Sequence, residues 1–159
     1  MRPRHRPPSK PGQAGTSAVE FALVLTLMIS LIAMVIDLGR SFWYYDALLK
    51  GTRDAARAMS VADKAGIASI AVPDARQLLV EAVNAAGVPG FGSANVKVTC
   101  LDSVTLADAT CTDGTAPGGA RVEIIDYTVT LGQYVPFLVG SASSSEVTLA
   151  PRATMRYIK

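Results

Sequence analysis

The chain has a single histidine, His5, near its start, so no later residue offers an imidazole for acid–base work or metal binding. It has two cysteines, Cys100 and Cys111, no Cys/His cluster of metal-ligand spacing and no Walker-type glycine loop. Gly90-Phe91-Gly92 and Gly118-Gly119 read as turn signals, not phosphate cradles. The spacing of Asp102, Asp108 and Asp113 does not fit an EF-hand, and they read as a solvated acidic loop. Enzymatic activity, a bound metal and a cofactor are therefore not expected. Aromatics are scarce, at 6% against 50% hydrophobic residues, so alanine and valine carry much of the apolar count.

Net positive charge is missing from the chain once its N-terminus is set aside. Residues 1–15 hold four of the 15 Lys/Arg (Arg2, Arg4, Arg6, Lys10) and none of the 13 Asp/Glu. Without them, 11 basic residues face 13 acidic ones, and the net charge of +2 becomes −2. The basic balance belongs to a leader, and nucleic-acid binding is not expected of the remainder.

Charge is absent again over residues 21–36, and no proline interrupts residues 16–62. Residues 18–36 are apolar apart from Glu20, Thr26 and Ser30, the two hydroxyls being able to bond back to a helix backbone. At about 1.5 Å per residue this stretch spans about 28 Å, which matches a hydrocarbon core of about 30 Å. A membrane span at about 18–36 is expected. The run is too long for a secretory h-region, and Ala56-Arg57-Ala58 lies about twenty residues too late to be its cleavage site. No twin-arginine pair is present. Basic residues precede the span, and a mixed flank (Asp37, Arg40, Asp46) follows it. The N-terminus is thus expected in the cytoplasm and the C-terminal half across the membrane. Phe42, Trp43, Tyr44 and Tyr45 suit an interfacial aromatic belt.

Past the span, Val35, Leu38, Phe42, Tyr45, Leu49, Thr52, Ala56 and Met59 step by threes and fours, the pattern of a helix seam. One helix of about 45 residues follows from this, half in lipid and half projecting. Its stripe faces either the chain's own C-terminal module or other subunits. Gly39 and Gly51 weaken it by about 1 kcal/mol each relative to alanine. An Ala-rich connector ends at Pro73, and Asp74 opens a second helix with Leu78, Leu79, Ala82, Val83 and Ala86 on one face. Residues 96–99, 121–131 and 146–157 read as strands, with Pro151 making the last an edge or a bulged one. Residues 112–119 read as loop. Residues 134–139 form an apolar connection that either packs on the sheet or dips towards the membrane.

The expected fold is α+β: a long N-terminal helix, transmembrane in its first half and extracytoplasmic in its second, packed against a short helix and a small antiparallel β-sheet. The organisation is a leader at 1–15, the long helix at 16–62 and an extracytoplasmic module at 63–159. In that compartment Cys100 and Cys111 would form a disulfide, closing a short loop for about 3 kcal/mol. In a reducing one they would be two unpaired thiols.

The junction of leader and span reads Gly15-Thr16-Ser17-Ala18-Val19-Glu20-Phe21. A carboxylate in a membrane segment costs up to about 3 kcal/mol, less near the interface, so its presence calls for a role. The motif continues as Ala22-Leu23-Val24-Leu25, then Asp37-Leu38-Gly39-Arg40 with trailing aromatics, then Arg53-Asp54-Ala55-Ala56-Arg57-Ala58. In these features the chain resembles the TadE-like proteins, pseudopilins of the Tad (Flp-type) pilus system. It departs from them at Ala56, where glycine is common, and at Thr26, where proline is frequent.

The resemblance implies cleavage between Gly15 and Thr16 by a prepilin peptidase, a membrane aspartyl protease. It also implies that Glu20 meets the new amine of a neighbouring subunit. The partners it implies are other Tad pilins or pseudopilins and the inner-membrane assembly platform. The function it implies is that of a minor pilin-like subunit in pilus biogenesis and adhesion. The alternative is an uncleaved, single-span anchor carrying an extracytoplasmic binding module.

Overall fold

A computed structural model describes residues 13–131 and 145–158. The basic leader residues Arg2, Arg4, Arg6 and Lys10, with His5, lie outside the described residues, as does the connection at 134–139.

Helix α1 (Gln13–Ser60) is continuous over 48 residues, so its start falls inside the segment read as leader. At 1.5 Å per residue it is about 72 Å long. Its first half is bare: Phe21, Leu23 and Val35 are each about two-thirds exposed. There the hydroxyls do bond back, Thr26 Oγ1 donating to Ala22 O (2.8 Å) and Ser30 Oγ to Thr26 O (2.7 Å). This is the one helix among the described residues that is long and apolar enough to cross a membrane.

The second half of α1 has a buried face made of Tyr44, Leu48, Gly51, Thr52, Ala55, Ala56 and Met59. The heptad stripe therefore holds only in part. Thr52, Ala56 and Met59 pack inward, but Phe42 is 73% exposed, and Val35, Leu38 and Tyr45 are exposed as well. The contact runs instead through residues 44, 48, 52, 55 and 59. That spacing follows the 3.6-residue turn of a straight helix, which drifts away from a strict seven-residue repeat. Tyr44 is consequently turned into the module, leaving Phe42, Trp43 and Tyr45 on the outside.

A 3₁₀ turn (Lys64–Gly66) and a π-helical turn (Ile67–Ala71) lead directly into α2 (Val72–Ala85). The helix opens before Asp74, with Pro73 in its first turn. Proline is tolerated in that first turn because its fixed φ already suits the helix. Gly87, at φ +75°, ends α2, and Val88 N donates to Val83 O. Left-handed backbone at that position favours glycine.

α2 packs antiparallel to α1, with Leu79 and Val83 over Gly51 and the Trp43 indole donating to Ala86 O (3.1 Å). A Cβ on Gly51 would stand 2.5 Å from Leu79 Cδ1. The glycine read as a weak point of the helix is thus where the second helix makes its closest approach. Gly51→Leu should lower the unfolding free energy by about 1–3 kcal/mol through overpacking. Leu79→Ala alone should lower it by about 2–5 kcal/mol. Combined, the two should fall short of their sum, because the added leucine enters the vacated space; denaturant titration of the four proteins in detergent measures this.

Four antiparallel strands follow in the order β2-β1-β3-β6: β1 (Val96–Leu101), β2 (Asp108–Ala109), β3 (Gly119–Ile124) and β6 (Arg152–Arg156). β4 (Thr128–Leu131) pairs with β5 (Ser145–Thr148) in a second small sheet. Val96, Cys100, Ala120, Val122, Ile124 and Ala153 are buried in the core with α1 and α2. The stretches 121–131 and 146–157 are therefore each two strands, not one. They break opposite each other, at Asp126 (φ +51°) and around Pro151, where no N–H is available for the ladder. Ile124 N→Pro151 O and Leu149 N→Tyr127 O carry the pairing across the break, and β6 is an edge strand, as β2 is on the other side. Asn95 pins the bend by donating to the carbonyls of Ile125 and Asp126.

Cys100 and Cys111 form a disulfide with Cα atoms 5.0 Å apart. Its reduction should lower module stability by about 3 kcal/mol in the chain-entropy model, seen as a lower Tm with reductant. The acidic residues around it are exposed but not idle. Asp102 accepts from the backbone of Thr105 and Val104 and from the Thr105 hydroxyl, which holds its carboxyl below the ordinary 3.8. Asp113 accepts from Ala68 N (2.7 Å) and Ser69 N (3.2 Å), is lowered in the same way, and ties the disulfide loop to the π-helical turn. Asp108 pairs with Arg121 (2.6 Å). The architecture is α+β, a long apolar helix with a short helix and small antiparallel sheets.

Candidate processing and assembly site

Gly15, Thr16 and Glu20 all lie in the first turns of α1, and all are exposed. Thr16 and Glu20 are four residues apart, so they share one helix face about 6 Å apart along the axis. Nothing lies within 4 Å of the position a Gly15 Cβ would take. The carboxylate of Glu20 is flanked by Val19 (62% exposed) and Phe21 (66%) and has no ion pair among the described residues. An acid placed on a bare apolar surface, without a partner among the described residues, is expensive unless another group meets it.

A second cluster stands where the bare half of α1 meets the module. Asp37 is buried (8% exposed), and Arg40 Nη2 donates to the Tyr44 hydroxyl (2.9 Å). The Arg40 guanidinium carbon also lies 5.8 Å from the Tyr44 ring centroid, within cation–π range. With Ser41, Pro89, Tyr127 and residues of β4, these side chains border a cavity of about 180 Å³. Tyr127 donates to Pro89 O (2.8 Å) and meets Phe91 edge-on, its ring centroid 5.5 Å away. Burial, and then the nearby Tyr44 phenol, push the Tyr127 hydroxyl above its ordinary 10.0.

Sequence reasoning singled out Asp37 and Arg40 but missed Tyr127, Pro89 and the Trp43–Ala86 bond. An acid followed three residues later by an arginine is visible in a sequence. The pairing of Tyr127 with the carbonyl of Pro89, 38 residues earlier in the chain, carries no local signal. The site residues do not converge: Glu20 is 17 residues from Asp37 on α1, about 25 Å along the axis, and the Cys100–Cys111 loop is near the other end of the helix. Among the described residues no cluster of His, Cys, Asp and Glu is suited to a metal ion.

The arrangement is that of a long, mostly bare apolar helix bearing a compact α+β module on its C-terminal half. The family model of TadE-like proteins matches residues 15–57. That stretch runs from the glycine of the candidate cut site, through Glu20 and Asp37–Arg40, to the buried face that holds the module. No match was found among curated proteins or solved structures.

Proposed function

We propose that this chain is a minor pilin-like subunit of a Tad (Flp-type) pilus system, acting in pilus biogenesis and adhesion. Prepilin peptidase cuts it between Gly15 and Thr16, residues 18–36 hold it in the cytoplasmic membrane, and residues 63–159 form an extracytoplasmic module. The observation that carries this reading is Glu20, a carboxylate with no ion pair among the described residues, on a bare apolar helix one turn from the amine that cleavage would create. Its partners are the peptidase, sister pilins or pseudopilins, and the inner-membrane assembly platform. The TadE-like match over residues 15–57 supports association with the pilus machinery in a structural rather than enzymatic capacity.

The disulfide fits an oxidising compartment, and so supports the module's location outside the cytoplasm. Protease added to spheroplasts should digest the module of the full chain and spare an N-terminal tag on the Gly15→Leu precursor. The opposite pattern would reverse the topology.

A second reading, the uncleaved anchor, is favoured by one observation. α1 begins at Gln13 and runs through Gly15 without a break, and a helical peptide bond is shielded from a protease. The first turn has few backbone hydrogen bonds to lose, however, and glycine lowers the free energy needed to open it by about 1 kcal/mol.

A further inference from the structure

Because α2 runs antiparallel to α1, its C-terminal end approaches the bare half of the long helix. Leu79 lies over Gly51, and Ala86 accepts from Trp43, eight residues nearer the span. The turn that follows continues in the same direction, since Pro89 borders a cavity with Asp37, Arg40 and Ser41. β3 and β4 run the same way. Gly118, just before β3, is bonded to Tyr157 beside the end of α1, whereas Thr128 to Thr130 border that same cavity. The module therefore has a base, formed by the end of α2, its turn and β4. Trp43 marks that level, seven residues past Ile36, about 10 Å along the axis.

This base is short of charge. No Asp, Glu, Lys or Arg occurs between Glu81 and Lys97, nor from Tyr127 to Leu131. The opposite end of the module carries Asp63, Lys64, Asp102, Asp108, Asp113 and Arg156. Near the base, Asp37 is buried and Arg40, though exposed, is turned onto Tyr44. Asp46, one turn past Trp43 on the side away from the span, is paired with Lys50 (2.6 Å), and Asp126 and Glu146 are exposed on the β4–β5 arm. Phe42 (73% exposed) and Trp43 (61%) stand at the rim.

We propose that this base rests on the bilayer that α1 crosses, with Trp43 and the uncharged end of α2 seated in the headgroup region. The proposal rests on residues 18–36 being a membrane span, and its occupant is the surface of that same membrane. The headgroup layer adds about 5–8 Å to each side of the hydrocarbon core, and helical tilt brings the base closer still. Amphipathic rings such as Trp43 favour that layer, and an end free of charge enters it without stripping water from an ion. The base has no basic cluster, so attraction to anionic lipid plays no part, and the contact is insensitive to salt. A module so seated has its charged end, with the disulfide loop, held away from the membrane.

Trp43 is the only tryptophan, so it is a native depth probe. The full chain is placed in phosphatidylcholine vesicles whose acyl chains are brominated near the headgroup. Three proteins are compared: wild type, Trp43→Phe with Ala85→Trp at the exposed end of α2, and Trp43→Phe with Val104→Trp (Val104 is 87% exposed) at the far end. Asn84→Trp replaces Ala85→Trp if the latter fails to fold. The expected result is that position 85, like Trp43, loses most of its emission in brominated vesicles and is shielded from aqueous iodide. Position 104 should keep its emission and be quenched by iodide, at low and high salt alike. Quenching by lipid at 43 without quenching at 85 overturns the seating while leaving the span in place. Shielding of 85 from both quenchers means that another protein chain covers the base, which also overturns it. Loss of lipid quenching at 43 as well as at 85 also overturns the seating, failure of the wild type to float with the vesicles in a density gradient removes the span itself, and equal quenching at 85 and 104 overturns the polarity of the module.

Discussion

Gly15→Leu should leave the chain at its full precursor mass in cells that shorten the wild type by residues 1–15. The substitution touches no neighbour, since nothing lies within 4 Å of the added Cβ. A helix start accepts leucine better than glycine by close to 1 kcal/mol, so folding does not suffer. What changes is access: a protease binding this segment in extended form meets bare backbone at glycine and a side chain at leucine. A C-terminally tagged variant, compared with wild type by immunoblot and intact mass, reads this as all or none. The same mass loss in both proteins would end the processing claim. Because Gly15 is exposed and contactless, a negative result there is not explained by misfolding.

Glu20→Ala should leave the isolated chain as stable as wild type but remove it from assembled pili. Glu20 is exposed and has no ion pair among the described residues, so the fold loses nothing. If the carboxylate meets a neighbour's Thr16 amine in the apolar bundle, its removal leaves that amine unpaired. Stranding one partner of a buried pair costs about 3–5 kcal/mol, which is two or more decades in association. Comparing the amounts of the two proteins in sheared pili, with membrane levels and Tm as controls, measures the effect. Equal recovery of both proteins with the pili would mean that Glu20 merely sits at headgroup level as an acid near a helix start. The two predictions separate the roles of the motif, since Gly15 acts on the precursor and Glu20 on the mature chain.

Much of this was legible because one-dimensional signals suffice for it. The uncharged run 21–36, the absence of proline over 16–62 and the strand-like 96–99 each carry a local physical cause, and each became the expected element. The disulfide was legible only conditionally, because sequence shows two thiols and not the compartment. Long-range packing was not legible. The heptad stripe placed Phe42 and Tyr45 in the seam, and a straight helix turned Tyr44 and Leu48 inward instead. Gly51 looked like a helix fault until Leu79 was seen against it. The two long strands hid a shared bend at Asp126 and Pro151, whose effect depends on being opposite each other. Glu20 was legible as an anomaly, and its lack of an ion pair among the described residues is what the fold adds to it.

The central claim is that Gly15-Thr16 is a cut site and that Glu20 serves the new terminus. It is tested most directly by determining the N-terminus of the protein recovered from membranes of cells that make the peptidase. The account predicts Thr16 as the first residue, with residues 1–15 gone and the net charge shifted from +2 to −2. A mature chain that still begins at Met1 or Arg2 would contradict it, and would make the protein an uncleaved anchor carrying its module on an intact helix.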